Sequence, residues 1–330
     1  MKPFAYLRAD DPASAVRAAG AQASAFLAGG TSLVDCLKLG AVQAGLLVDI
    51  NGLQPSFGRI EVRPDGLYLG ALVRMAQLAD DAMVNRDYPV IAQTMQLAAS
   101  AQLRNMASLG GNVMQRTRCS YFRDTSWKAC NKRNPGSGCA ALDGVNRRHA
   151  VLGVSDRCIA TYAGDFAQAL VALDARVQTL GPRGQRTLRF EELHRDASEP
   201  HIESVLHPGE MITGFMVPAG PWTKRSLYLK VRDRESYEFA LSSAAVGLDI
   251  GSDGLVREAR IGLGGMAYKP WRAHAAEAFL KGKRLDEGTA AAAGRMAMQG
   301  AATRSGNAFK TELGARTTER ALLQAAKLEA

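Results

Sequence analysis

No run in this 330-residue sequence approaches the ~20 consecutive apolar residues needed to span a bilayer. The first nine residues, Met1 to Ala9, lack the apolar stretch of an export signal. The expected location is therefore the cytoplasm, or the periplasm if the chain is exported on a signal-bearing partner. Several catalytic signatures are also missing: no G-x-G-x-x-G turn, no phosphate-binding Walker loop, no H-E-x-x-H helix, and no Ser/His/Asp order or paired carboxylates. The histidines His149, His194, His201, His207 and His274 are scattered through polar surroundings. Hydrolytic chemistry has no support.

What is present fits a folded protein of about two domains. The apolar fraction is 47% and the charged fraction 22%, ordinary for a compact chain. Pro208, Pro218 and Pro221, with Gly209 and Gly220, punctuate the sequence and place a boundary near residue 220. Before it, Ser24 to Leu33 reads as a short strand, a Gly-Gly-Thr-Ser turn and a helix, followed by a strand from Leu46. Tyr88 to Ala99 reads as one helix, and Ala107 to Val113 as a second glycine-lined turn. After the boundary, strands near 226–231, 240–250 and 259–263 precede alanine-rich helices, the pattern of an α+β domain.

The charge is uneven. Of the formal +9, a surplus of six lies between Arg116 and Cys158, where nine basic residues face three acids. Four of the five cysteines, Cys119, Cys130, Cys139 and Cys158, fall in the same segment with spacing C-x10-C-x8-C-x18-C. A chain of this size does not need disulfides, so a metal or redox role is favoured. Four thiolates fit zinc or a [4Fe–4S] cluster, and the lack of paired C-x2-4-C knuckles favours iron–sulfur. Backbone N–H groups near Gly136 and Gly138 are expected to donate to the sulfurs. A bare loop of this length inside a domain needs something to hold it, and its order is expected to depend on the metal. Cys36 reads as a core thiol, and His149, beside Arg147 and Arg148, as a surface residue rather than a neighbour of the metal.

The Gly29-Gly30-Thr31-Ser32 turn suits an anion, its alternative being an ordinary helix cap. Ser108, Gly110, Gly111 and Asn112, with Asp165 at a helix start, are the other candidate wall of a dinucleotide site. The plain alternative there is a tight turn and a capping Asp.

Taken together, Phe26-Leu-Ala-Gly-Gly-Thr-Ser-Leu33, Ile50-Asn-Gly-Leu53, Leu69-Gly-Ala-Leu-Val-Arg74, Gln102-Leu-Arg-Asn105, Gly110-Gly-Asn-Val113 and Gly164-Asp-Phe166 resemble the FAD-binding medium subunits of the xanthine dehydrogenase and carbon monoxide dehydrogenase family. Gln115-Arg-Thr-Arg-Cys119, Cys130-Asn-Lys-Arg133, Pro135-Gly-Ser-Gly-Cys-Ala-Ala141 and His149-Ala-Val-Leu-Gly-Val154 resemble the branch that serves bacterial periplasmic aldehyde oxidoreductases. The resemblance implies an α+β fold. A two-part vanillyl-alcohol-oxidase-like FAD-binding domain (1–220) carries an iron–sulfur loop at about 116–158, and a smaller C-terminal α+β domain (221–330) follows.

It implies FAD contacts from Phe26, Leu27, Ala28, Gly29, Gly30, Thr31, Ser32 and Leu33, with 28–33 around the pyrophosphate. Ser108, Gly111 and Asn112 are implied on the flavin side, Asp165 at the ribityl or phosphate region, and Lys230 facing the ring. A [4Fe–4S] cluster is implied on Cys119, Cys130, Cys139 and Cys158. The implied partners are a molybdenum-cofactor large subunit and a [2Fe–2S] small subunit in a heterotrimer, plus an external electron acceptor. Substrate oxidation is implied on the partner, with no catalytic residue here. The competing readings are a subunit serving a xanthine-type or other hydroxylase, a flavin oxidase working alone, and a zinc-stabilised basic module that binds nucleic acid.

Overall fold

The computed structural model describes residues 1–20 and 23–329. Its strands fall into three sheets. The first contains β1 (Ala5–Arg8), β2 (Ser24–Leu27) and β3 (Leu46–Asp49), all parallel in the order β1-β3-β2. Parallel neighbours require crossovers, and helices Pro12–Ala19 and Leu33–Leu39 supply them. Asp11 starts the first of these helices. Its carboxylate accepts the Ser14 N–H at 2.9 Å while Ser14 Oγ accepts from the Asp11 N–H, and Pro12 occupies the first turn. The second stops at Gly40, whose φ of +72° is the left-handed C-terminal geometry that favours glycine.

The second sheet holds β4 (Ile60–Arg63), β5 (Gly66–Gly70), β6 (Arg176–Gly181), β7 (Gly184–Arg189) and β8 (Met211–Pro218). It is antiparallel throughout, in the order β4-β5-β8-β6-β7. Helices Pro89–Gln96 and Phe166–Ala172 contribute to the core that includes Leu67, Leu69, Phe215 and Val217 of this sheet. Each fully buried Leu or Phe there contributes about 1.5–3 kcal/mol. Every residue of helix Phe166–Ala172 is buried.

The third sheet is β9 (Ser226–Val231), β10 (Ser242–Ile250), β11 (Val256–Gly264) and β12 (Trp271–Arg272), antiparallel in the order β12-β11-β10-β9. Helices His274–Leu280, Glu287–Ala297 and Phe309–Ala326 share its core. Helix Phe166–Ala172 docks directly on β11: a side chain at Gly262 would meet the Gln168 carbonyl at 2.3 Å.

Two segments differ from the sequence expectation. The helix expected to reach Ala99 ends at Gln96, because Ala99 takes a left-handed φ of +48° and Ser100 caps a new helix, Ala101–Met106. The second glycine turn is instead a short helix, Leu109–Val113, capped by Ser108 Oγ on the Gly111 N–H at 3.3 Å. Strands β4 and β7 were not anticipated. The segment 114–165 holds one short helix, Ser120–Arg123, and is otherwise turns and isolated bridges. Among the described residues no helix is long and apolar enough to cross a membrane.

Candidate functional site

The chain leaves β2 at Leu27 and turns through Ala28-Gly29-Gly30-Thr31-Ser32 into helix Leu33–Leu39. Gly30 has φ +71°, and Gly29 has no room for a side chain, since a Cβ there would lie 1.9 Å from the Met106 carbonyl oxygen. This turn therefore presses against the backbone just before Ser108. Gly110 packs less tightly against the residue after β5, donating its N–H to Ala71 O at 2.9 Å.

A polar staple fixes the approach. Asn51 Nδ2 donates to Ala28 O at 3.0 Å, Arg74 Nη2 donates to Asn51 Oδ1 at 2.8 Å, and Arg74 Nη1 donates to Met106 O at 2.5 Å. One guanidinium thus ties both turns together. Burial holds Arg74 below its usual pKa. Asn51 and Arg74 stand in the motifs that carry the family resemblance, but their spacing gave them no role.

Between the turns lies an apolar cavity of about 310 Å³, walled by Phe26, Ala28–Leu33, Ala71, Ser108, Gly111 and, on the far side, Glu210 to Ile212. It shares Thr31, Ser32 and Gly111 with a second space of about 490 Å³ that reaches Asn112, Asp165 and Phe239. Together they form one cleft, within the range of cofactor sites. Of the residues expected to contact a cofactor, Leu27 and Lys230 are not on its walls. Leu27 packs into the small core beneath the first sheet.

Ser32 does not cap its helix with its side chain, and Asp165 does not cap the helix that follows it. The Asp165 carboxylate instead accepts from the Tyr228 hydroxyl at 2.5 Å and from Lys230 Nζ at 2.8 Å, with Lys230 also bonded to Leu97 O at 3.0 Å. The plain reading of Asp165 as a cap is thus replaced by a buried ion pair, with Asp165 on the cleft wall and Lys230 behind it. Breaking such a pair costs about 3–5 kcal/mol. Asn112 Oδ1 is buried in the wall without a hydrogen-bond partner, the kind of orphan acceptor that a bound group satisfies.

The cysteine segment is built differently. Cys130 and Cys139 face each other in a small antiparallel bridge, closed by Asn131 N to Gly138 O at 2.8 Å and Ala140 N to Ala129 O at 2.9 Å. Gly136 and Gly138 supply the positive φ angles of the turn between them. Cys119 precedes helix Ser120–Arg123, and the nearby backbone N–H groups of Phe122 and Tyr121 work to lower its thiol. Backbone N–H groups of Ala141, Ile159 and Leu142 work to lower the Cys139 thiol, and Cys158 Sγ accepts from Ala160 at 3.5 Å. The N–H···S bond at Cys158 thus comes from the residue two after it, whereas the Gly138 N–H goes to Asn131 Oδ1 at 3.0 Å.

Cys158 donates to Cys139, which lowers the Cys139 thiol to about 6 and raises Cys158. Burial pushes Cys119 up to about 11. Cys119 packs against three small cores, one that includes Cys130, one that includes Cys158 and one that Cys139 also borders. Among the described residues, however, no group of three or more His, Cys, Asp and Glu side chains is closed around a metal-sized point. Cys36 is 1% exposed, the core thiol expected.

His149 departs from its surface reading. It is buried, with Nε2 3.2 Å from Cys119 Sγ, because Lys310 Nζ of the last helix holds its carbonyl at 3.0 Å. Burial, and then the Lys310 charge, push its pKa down to about 4.

The basic residues are largely spoken for. Arg118 and Arg123 bind Asp35, Arg116 and Lys132 bind Glu203, Arg147 grips Asp233 with both nitrogens, and Arg148 reaches Glu238. Arg133 donates to the carbonyls of Tyr121, Phe122 and Trp127. A segment whose cations are paired internally is a poor phosphate-binding face.

Comparison with known proteins bears on both parts. Residues 2–220 match the family of the FAD binding domain in molybdopterin dehydrogenase, and 227–325 match the CO dehydrogenase flavoprotein C-terminal domain. The chain is 47% identical over 287 residues to the aldehyde oxidoreductase FAD-binding subunit PaoB of Escherichia coli (strain K12), covering 85% of this chain and 86% of that one. It is 26% identical to the carbon monoxide dehydrogenase medium chain of Afipia carboxidovorans, covering 79% and 73%. The structure of carbon monoxide dehydrogenase from Hydrogenophaga pseudoflava superposes with a TM-score of 0.76 at 25% identity, covering 99% and 98%.

Proposed function

Because the chain belongs to the FAD-binding medium subunits of the xanthine and CO dehydrogenase family, an FAD-dependent oxidoreductase subunit, we propose that it is the electron-transfer subunit of a molybdenum-containing aldehyde oxidoreductase. The observation that carries this reading is the cleft itself, where two glycine turns meet so closely that Gly29 excludes a Cβ.

In this proposal Ala28 to Leu33 hold the pyrophosphate, where Gly29 and Gly30 leave backbone rather than side chain at the surface. Ser108, Gly111 and Asn112 line the flavin side, and the orphan Asn112 Oδ1 accepts a donor from the cofactor. Asp165 meets the ribityl or phosphate region while Lys230, behind it, fixes the carboxylate and adds positive charge near the ring. When bound, FAD supplies storage for electrons between one-electron and two-electron carriers. The FAD-binding part is 1–220 and the C-terminal domain 221–330.

Cys119, Cys130, Cys139 and Cys158 are proposed to hold a [4Fe–4S] cluster. The donor set fits, since four cysteines border adjoining small cores and the Ala160 N–H is aimed at Cys158 Sγ, a donor that stabilises a thiolate. The partners proposed are a molybdenum-cofactor large subunit and a [2Fe–2S] small subunit, with electrons leaving to an external acceptor. The 47% identity to an aldehyde oxidoreductase subunit favours this over a xanthine-type complex.

The test is to express the chain with and without its neighbouring genes, and to measure molybdenum and aldehyde oxidation in each preparation. Activity confined to a molybdenum-containing complex supports the reading. Full aldehyde oxidation by the isolated chain overturns the placement of the substrate site on a partner.

A further inference from the structure

Lys132 differs from the other cations of the cysteine segment. Its side chain is 5% exposed, and its ammonium donates to Glu203 Oε1 at 2.5 Å, Tyr268 Oη at 2.8 Å and Pro200 O at 3.4 Å. It also lies over the Tyr268 ring, 4.4 Å from the centroid. Lys132 thereby ties the segment to the loop before β8 and to the C-terminal domain in one buried spot.

The charges at that spot do not cancel. Glu203 is shared, because Arg116 occupies its other oxygen. Two cations therefore face one carboxylate. The remaining titratable groups around the small cavity there are Tyr268, His194, Arg195, Lys269 and Tyr162, whose hydroxyl burial holds well above its ordinary value. Burial pushes the Tyr268 hydroxyl up to about 12 and His194 down to about 3, so both are neutral at pH 7, and Arg195 and Lys269 add no negative charge. A buried surplus of positive charge is costly unless an anion compensates it. The group left to do so is the thiol neighbourhood: Lys132 is two residues from Cys130, and Tyr268, whose ring lies under the Lys132 ammonium, shares a small core with Cys158.

We infer that Lys132 is a positioning residue for the tetrathiolate centre, its fixed charge compensating the centre's negative charge and raising its reduction potential. This rests on the proposed cluster. Adding an electron makes the centre more negative, so a nearby buried cation favours the reduced form.

Lys132→Met is a clean probe, since Glu203 keeps Arg116 as its partner. Glu203→Gln is the complementary one, because it removes a negative charge and leaves both cations. The experiment is an EPR-monitored redox titration of the cluster in the purified complex, with iron and FAD content measured alongside.

The expected result is a lower midpoint potential in Lys132→Met, corresponding to at least a tenfold smaller equilibrium constant for reduction, or about 59 mV for one electron. Glu203→Gln shifts it upward, and Lys132→Arg stays near wild type. A purely structural clamp moves both variants the same way, through iron loss. Shifts of the same sign, iron loss in both, or no shift in either overturn the inference. Absence of a [4Fe–4S] EPR signal from the wild-type complex overturns the cluster reading itself, and is seen before any variant is made.

Discussion

The glycine-turn cleft and the cysteine segment lie against each other and hold their shapes by different means. In the cleft the backbone sets the geometry: Gly29 sits where no Cβ fits, Gly110 bonds to Ala71 O, and a single Arg74–Asn51 staple closes the two turns. In the segment the backbone has little regular structure, and charged side chains hold it: Arg133 ties three carbonyls within the segment, while Lys132 reaches Glu203 and Tyr268 and Arg147 reaches Asp233. A site fixed by backbone contact fails when a methyl group is added. A site fixed by side chains fails when an anchor is removed.

The largest effect is expected in the cleft. Gly29→Ala drives a Cβ into the Met106 carbonyl, so the turns must separate, at a cost of about 3 kcal/mol. The variant should purify without flavin absorbance while keeping its iron. Unchanged FAD content would show that the close approach of the turns is not what shapes the cofactor site.

Next comes the anchor. Arg133→Ala leaves carbonyls of helix Ser120–Arg123 and the turn after it without their donor, at about 2 kcal/mol. Limited proteolysis should then cut within 119–139 while FAD stays bound. Resistance equal to wild type would break the contrast between the regions.

Cys130→Ser is expected to cost less, about 1 kcal/mol, and to abolish the iron–sulfur signal without loosening the segment. From the sequence alone this order seemed to depend on the metal. The anchors bind the segment through groups other than the four thiols, and they predict an unchanged proteolysis pattern in the iron-free variant. Rapid cutting after iron loss would restore the earlier expectation.

The smallest effect is in acid. Burial works against ionising Glu210 on the far wall of the cleft, but Arg186, the His207 N–H and Thr179 outweigh it and hold the carboxyl below its ordinary value. Its folded-state pKa is therefore depressed. The stability it contributes is present above the ordinary carboxyl value and is lost as pH falls through the folded value. Melting curves from pH 7 to 3 should show a shallower acid loss for Glu210→Gln than for wild type. Parallel curves would remove Glu210 from the account.

These contrasts also explain what could be read from the sequence. The Gly-Gly-Thr-Ser turn was legible because a strand, a glycine pair and a helix follow one another locally, and β9 to β11 were legible from their apolar runs. The four cysteines were found by spacing and charge. What was hidden depended on distant partners: Asp165 looked like a cap until Tyr228 and Lys230 were seen to hold its carboxylate. His149 looked exposed beside two arginines until Lys310, 161 residues away, was seen to pin its carbonyl. Asn51 and Arg74 carry no chemistry by themselves, and only the approach of the two turns gives them a role. The short helix Leu109–Val113 was missed because its glycines argue for a turn, while the Ser108 cap and the β5 contact decide otherwise.

The most direct test of the account is the visible absorption spectrum of the wild-type complex together with metal and flavin analysis of this subunit. The account predicts flavin bands over a broad iron–sulfur shoulder, with iron and FAD in about a four-to-one ratio. A flavin-free or colourless subunit that carries zinc in place of iron would contradict it.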